Sequence, residues 1–220
     1  MYSVVHVLLY ALTELSWRVS EVRDPYSIMV AGVGGQGNLV CGRIIAEAAV
    51  LQGLRPVVGD TFGASRRGGG VVTHIRIGKQ DWGPLIPKGA VDVLLGFEPV
   101  EALRAATRYA EKKTIAIVSM TPVPPANVTS GNLSYPKIED IQEELESICK
   151  NVYILDTEPI LKKLGSTYVL NSYMIGAFSA LVVGPISPKN LRQAILNILD
   201  SKSDLAAFDQ AALTHSNRNY

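Results

Sequence analysis

At 220 residues, 47% apolar and 19% charged, the chain has the size and composition of one folded domain with a sizeable core. With 21 Lys and Arg against 20 Asp and Glu, a formal charge of +1 excludes the broad basic field that holds nucleic acid or an anionic membrane. The two cysteines, Cys41 and Cys149, and three histidines, His6, His74 and His215, are too sparse for a zinc or iron–sulfur site and read as belonging to a cytoplasmic protein with free thiols.

Residues 1–17 are apolar but lack a basic leader and a small-residue cleavage site. His6, Tyr10, Thr13 and Glu14 interrupt them, so the apolar runs fall short of the ~20 residues a bilayer span needs. Residues 1–26 are read as an N-terminal extension: a helix packed on the domain or on a partner, or a stretch preceding a true start at Met29.

From Tyr26 to Ala31 a short apolar run predicts a buried strand, followed by the loop Gly32-Val33-Gly34-Gly35-Gln36-Gly37. Apolar residues at helical spacing predict a helix over Asn38–Gln52, stopped by Gly53. Arg55–Val58 reads as the next strand and Gly59–Gly70 as a glycine-rich loop carrying Ser65, Arg66 and Arg67. Val71–Ile77 alternates as a strand with one less buried face, on which His74 falls. Val91–Phe97 and Thr114–Ser119 read as buried strands separated by a helix over Val100–Ala110, with Glu98 near that helix's start. Pro122, Pro124 and Pro125 make the following stretch a connection. Helices are predicted at Ile138–Cys149, Glu158–Leu164 (stopped by Gly165), Asn171–Val183 and finally Pro188–Leu199, with a strand at Val152–Asp156. The small residues around Gly176 suit a helix packed closely in the interior or against another subunit. The pattern is that of a single α/β domain over 27–220, Rossmann-like and three-layered, with a mostly parallel or mixed sheet.

The first loop has G-x-G-x-x-G spacing between a strand and a helix, where Gly32, Gly34, Gly35, Gln36 and Gly37 form a candidate anion site. The acidic residue that completes a dinucleotide fingerprint is met only loosely, because Asp60 falls 23 residues after Gly37 and beyond Gly59. Ser65, Arg66, Arg67, Gly68 and Gly69 put two forked cations in a pliant loop, suited to a phosphate, a carboxylate or a partner's acidic surface. Both loops are expected at the C-terminal edge of the sheet, where open α/β folds build their sites. Ser65 and Thr61 read as anion-site hydroxyls, and His74, with no carboxylate to orient it, as a structural residue.

The ordered set Gly32 to Gly37, Phe62-Gly63-Ala64-Ser65-Arg66-Arg67-Gly68-Gly69, Leu85-Ile86-Pro87 and Gly96-Phe97-Glu98-Pro99 resembles the indolepyruvate ferredoxin oxidoreductase beta subunit, the counterpart of the gamma subunit or domain of other 2-oxoacid:ferredoxin oxidoreductases. The resemblance covers about residues 27 to 200. It implies a small subunit in a cytoplasmic hetero-oligomer, inactive without a large subunit that carries thiamine diphosphate and iron–sulfur clusters, which makes an acyl-CoA and passes electrons to ferredoxin. This chain has no Gly-Asp-Gly motif, since Thr61 follows Gly59-Asp60, and no cysteine cluster. A free-standing nucleotide-binding protein and a ligand-free assembly subunit stand as alternatives, and homodimer formation by the isolated chain stays open.

Overall fold

The computed structural model describes residues 23–63, 69–124, 134–164, 169–182 and 184–216. The N-terminal extension up to residue 22, Ser65, Arg66, Arg67, Gly68 and Gly165 lie outside the described residues.

Six strands form one mixed sheet: β1 (Tyr26–Val33), β2 (Arg55–Phe62), β3 (Gly70–Gly78), β4 (Val93–Gly96), β5 (Ile115–Ser119) and β6 (Asn151–Leu155), in the spatial order β2-β3-β1-β4-β5-β6. Strands β1, β4, β5 and β6 run parallel, whereas β3 is antiparallel to both of its neighbours, with Ile28 opposite Ile75 and Val58 opposite Ile75 from the other side. The seven helices described are α1 (Asn38–Leu51), α2 (Pro99–Tyr109), α3 (Ile138–Ile148), α4 (Glu158–Leu164), α5 (Leu170–Leu181), α6 (Pro188–Leu199) and α7 (Lys202–His215).

The period-2 alternation of β1 divides the core into two layers. Ile28 and Val30 point to the face covered by α1 and by α4 to α7. Met29 and Ala31 point to the opposite face, under α2 and α3. All eight residues of β1 are buried, as expected of a strand covered on both faces.

The helix ends obey local chemistry. After α1 the amide of Gly53 donates to Val50 O and that of Leu54 to Ala49 O, the paired bonds that close a helix and satisfy its last carbonyls. Glu98 is the N-cap of α2, its carboxylate accepting from Glu101 N at 2.9 Å, with Pro99 as the first helical residue.

Three differences from the sequence expectations have physical causes. Strand β2 extends to Phe62 rather than Val58, because residues through Phe62 pair with β3 as a hairpin. His74 is buried, 1% exposed, because the segment carrying Ile86 and the ring of Tyr109 cover the face that alternation marked as polar. Helix α6 is not the last: α7 follows it, started by Ser201, whose side chain accepts from Asp204 N. The Ser-x-x-Asp spacing of Ser201 and Asp204 is the sequence signal for that start.

Helix α5 packs in the interior. A β-carbon at Gly176 would lie 2.4 Å from Phe208 O and 2.9 Å from the Ala211 side chain, so α5 and α7 approach nearly backbone to backbone. Replacing Gly176 by Ala gains about 1 kcal/mol of helix propensity. It overpacks a contact with main-chain atoms that cannot rotate away, at a cost of about 1–3 kcal/mol or more. The expected net loss, up to about 2 kcal/mol, lowers Tm by up to roughly 8 °C for a domain of this size, measurable by thermal circular dichroism.

His74 provides a second test. Its Nδ1 accepts from Ile86 N at 3.3 Å, which places the ring proton on Nε2. Burial is the main cause that lowers its pKa below the ordinary value, with Arg108 adding to the effect and Asp60 opposing it. The unfolded chain therefore takes up the proton first. Stability contributed by the neutral ring is complete above about pH 6.5 and declines as pH falls below that value toward the lower folded-state pKa. Urea denaturation followed between about pH 7.5 and 5 should show this decline, and His74→Gln should flatten it whatever its absolute stability.

Candidate functional site

The glycine loop leaves the C-terminal end of β1 and enters α1. Gly37, the N-cap of α1, has φ of 88°, and a β-carbon there would lie 2.3 Å from Asn171 Nδ2. Only glycine meets both conditions, the left-handed backbone and the close approach of α5.

The loop is held from within by one side chain. Gln36 Oε1 accepts from Val33 N at 2.8 Å, and Gln36 Nε2 donates to Phe97 O at 2.9 Å. The carboxamide thus ties the end of β1 to the end of β4. Asn171 Nδ2 donates to Gln36 O at 3.3 Å, which brings the start of α5 onto the same loop. Asn38 Nδ2 donates to Val71 O at 2.9 Å and joins α1 to β3.

The second loop reaches the first through the backbone, where Gly34 N donates to Gly69 O at 2.9 Å. Gly32, Gly34, Gly35, Gln36, Gly37 and Gly69 are therefore neighbours at one sheet edge, while Ser65, Arg66, Arg67 and Gly68 fall outside the described residues. Thr61 is engaged within its hairpin, its hydroxyl donating to Val72 O at 3.3 Å.

Two cavities flank the glycine loop. One of about 420 Å³ lies between the loop, the start of α5 and the β2–β3 hairpin, walled by Val33, Leu39, Val40, Phe62, Val71 and Leu199, with Asp204 and Asn171 at its polar margin. Phe62 and Leu39 are 54% and 42% exposed, so its rim is apolar and open to solvent. No Lys or Arg is among its described lining residues, and Asp204 adds a carboxylate. The other cavity, of about 280 Å³, lies on the β4–β5 side of the loop. Sequence reasoning missed Asn38, Asn171, Leu39 and Phe62, which come from three separate segments; Asn38 alone carried a local signal, as the residue opening α1 directly after the last glycine.

The topology explains why the dinucleotide fingerprint is incomplete. In a dinucleotide-binding unit the acidic residue ends the strand beside the glycine loop. Here β3 separates β1 from β2, and Asp60 Oδ1 accepts from Thr73 Oγ1 at 2.6 Å across the hairpin. Asp60 is thus two strands away from the loop and engaged.

The cysteines do not fit a cluster or metal site. Cys41 is packed on the α1 face of the sheet and Cys149 on the α3 face, both buried. Burial raises the Cys41 thiol far above the ordinary range and pushes Cys149 up to about 11. Among the described residues no group of three His, Cys, Asp or Glu side chains is placed to hold a metal ion, and no helix is long and apolar enough to cross a membrane.

The architecture defines an α/β domain whose sheet edge carries a glycine loop without a dinucleotide acid. The sequence matches the pyruvate ferredoxin/flavodoxin oxidoreductase family over residues 27–214, and the chain belongs to that family. It is 37% identical over 176 residues to indolepyruvate oxidoreductase subunit IorB of Archaeoglobus fulgidus, covering 80% of this chain and 87% of that protein. The corresponding subunit of Pyrococcus horikoshii is 32% identical over 188 residues, 84% and 93% of the two chains. The fold is similar to the keto/oxoacid ferredoxin oxidoreductase gamma subunit of Geobacter sulfurreducens, with a TM-score of 0.61 at 22% identity over 87% of this chain and 98% of that one. It is also similar to 2-oxoglutarate:ferredoxin oxidoreductase of Magnetococcus marinus, with a TM-score of 0.63 at 21% identity, where 90% of this chain matches 32% of the longer one.

The Gln36 clamp makes a direct prediction. Gln36→Leu removes two hydrogen bonds and leaves Val33 N and Phe97 O to find other partners, a loss of about 1–3 kcal/mol. Urea denaturation measures that loss, and faster hydrogen exchange at Val33 should accompany it.

Proposed function

We propose that this chain is the small subunit of an indolepyruvate-type 2-oxoacid:ferredoxin oxidoreductase, acting in the oxidative decarboxylation of an aryl 2-oxoacid to its acyl-CoA. The observation that carries this reading is the 37% identity to an indolepyruvate oxidoreductase subunit over 87% of that subunit's length. Thiamine diphosphate and iron–sulfur clusters belong, in this reading, to a large partner subunit, because two buried thiols on opposite faces of a sheet do not fit a cluster. Thiamine diphosphate supplies the carbanion chemistry and the clusters the electron path to ferredoxin.

What this chain contributes is a shaped surface beside the partner's centre. The glycine loop, Gly32, Gly34, Gly35, Gln36 and Gly37, gives a stiff backbone ledge, because Gln36 fixes it to β4 and Asn171 backs it. We assign Ser65, Arg66, Arg67, Gly68 and Gly69 to the CoA phosphates or to the interface with the large subunit, on the strength of their charge and of the Gly34 to Gly69 bond that roots this loop on the first. A free-standing nucleotide-binding role is less well supported, since Asp60 is held by Thr73 two strands away from the loop.

Co-purification with the large subunit, followed by CoA-dependent reduction of an artificial electron acceptor with indolepyruvate, tests the assignment. Activity should require the mixture, with each subunit alone inactive; activity of the large subunit alone, or absence of any association, refutes it. In the reconstituted complex, Arg66→Ala/Arg67→Ala should raise the CoA concentration for half-maximal rate or weaken assembly by about tenfold or more, as expected for lost charge-assisted hydrogen bonds.

A further inference from the structure

The cavity on the β4–β5 side of the glycine loop occupies a particular place in the topology. From β1 the chain passes to β2 and β3 on one side of the sheet, and from β4 it passes to β5 and β6 on the other. The carboxyl ends of β1 and β4 therefore flank the point where the winding reverses, the crevice in which open α/β sheets bind ligands. The 280 Å³ cavity lies there, bounded by Val33 and Gly34 after β1, Phe97 after β4, and Ser119 and Thr121 after β5.

Two hydroxyls on its wall, Ser119 and Thr121, are joined through a third, Thr157. Thr157 Oγ1 lies 2.7 Å from Ser119 Oγ and 2.9 Å from Thr121 Oγ1, and Thr121 N donates to Ser119 Oγ at 3.5 Å. Ser119 and Thr157 are 0% exposed. Proton counting sets what this wall offers. Three hydroxyls carry three protons, and the two bonds between them use two. Thr157 does not border the cavity. A proton left on its buried oxygen would have no acceptor, so Thr157 donates within the chain. The surplus proton belongs to Ser119 or Thr121, both of which border the cavity.

The rest of the wall is the glycine backbone, the apolar residues Val33, Phe97, Val123, Leu161 and Leu170, and Gln36, whose carboxamide is engaged with Val33 N and Phe97 O. Its described lining includes no Lys, Arg or His, so a phosphate dianion would have only backbone amides of the glycine loop to replace its hydration, with no full countercharge. A neutral acceptor on an apolar body suits one surplus O–H. We propose that this crevice is a binding subsite for the carbonyl group of an uncharged acyl or amide ligand, with the one surplus O–H of the Ser119–Thr121 pair as the donor and Thr157 as the residue that orients the pair. The proposal does not depend on the proposed function, because the full chain alone should bind.

The probe is N-methyl-2-phenylacetamide, a neutral amide on an aromatic body, titrated into the ¹⁵N-labelled full chain. Saturable shifts should centre on the amides of Gly34 and Thr121, and phenyl phosphate and phenethylammonium should bind at least several-fold more weakly to the wild-type protein. The double variant Ser119→Ala/Thr121→Val, checked for an unchanged amide spectrum elsewhere, should bind the amide about 3- to 10-fold more weakly, the worth of one hydrogen bond. The proposal fails if shifts do not saturate, if they centre on Leu39 and Val40 at the other cavity, if phenyl phosphate binds as well as the amide, or if the folded double variant binds like wild type.

Discussion

Strand β3 runs antiparallel between β1 and β2, and the arrangement at the C-terminal sheet edge follows from it. A helix crossover from β1 to an adjacent parallel strand would put the second strand's end beside the glycine loop. Here that place is taken by β3, whose start at Gly70 follows Gly69, the residue that receives the Gly34 amide. The β2–β3 hairpin therefore delivers its connecting loop to the glycine loop and carries Asp60 away from it. The same insertion leaves β1 and β4 as the adjacent parallel pair at the reversal point.

The hydrogen bonds of the glycine loop make it a fixed tie between elements as much as a rim. Gln36 joins it to β4, Asn171 joins it to α5, and Gly34 joins it to the hairpin. A loop held in three directions has little freedom to close around a ligand, so it acts as a preorganised wall for the cavities on either side. That suits the proposed role, in which the small chain contributes fixed geometry beside a partner's reactive centre.

The buried polar groups divide along the same line. Those away from the edge serve the fold: Ser172 donates to Asp204 at 2.7 Å between α5 and α7, and Thr114 donates to Val91 O at 2.7 Å. Those at the edge, Ser119 and Thr157, are equally buried yet form a chain of hydroxyls whose bonds to one another leave one proton over. A stability role accounts for the first group, and the second has a proton that its hydroxyl–hydroxyl bonds do not use.

Local chemistry was legible in the chain itself. Apolar runs gave the strands, 3.6-residue spacing gave most of the helices, and the Gly-x-Gly-x-x-Gly loop and the four ordered motifs gave the α/β class and the family, because these depend on neighbours in sequence. The extension of β2 to Phe62, the burial of His74, and the meeting of Asn171 with Gly37 across more than half the chain depended on which segments pack together. Helix α7 was legible in principle, through Ser201 and Asp204, but its weak amphipathicity hides it until α5 provides the surface it packs on. Sequence alone determined the elements and the kind of protein, since both reside in short-range patterns. The tertiary structure alone decided the strand order, and with it which residues share the reversal point, because that order is set by burying both faces of β1 at once.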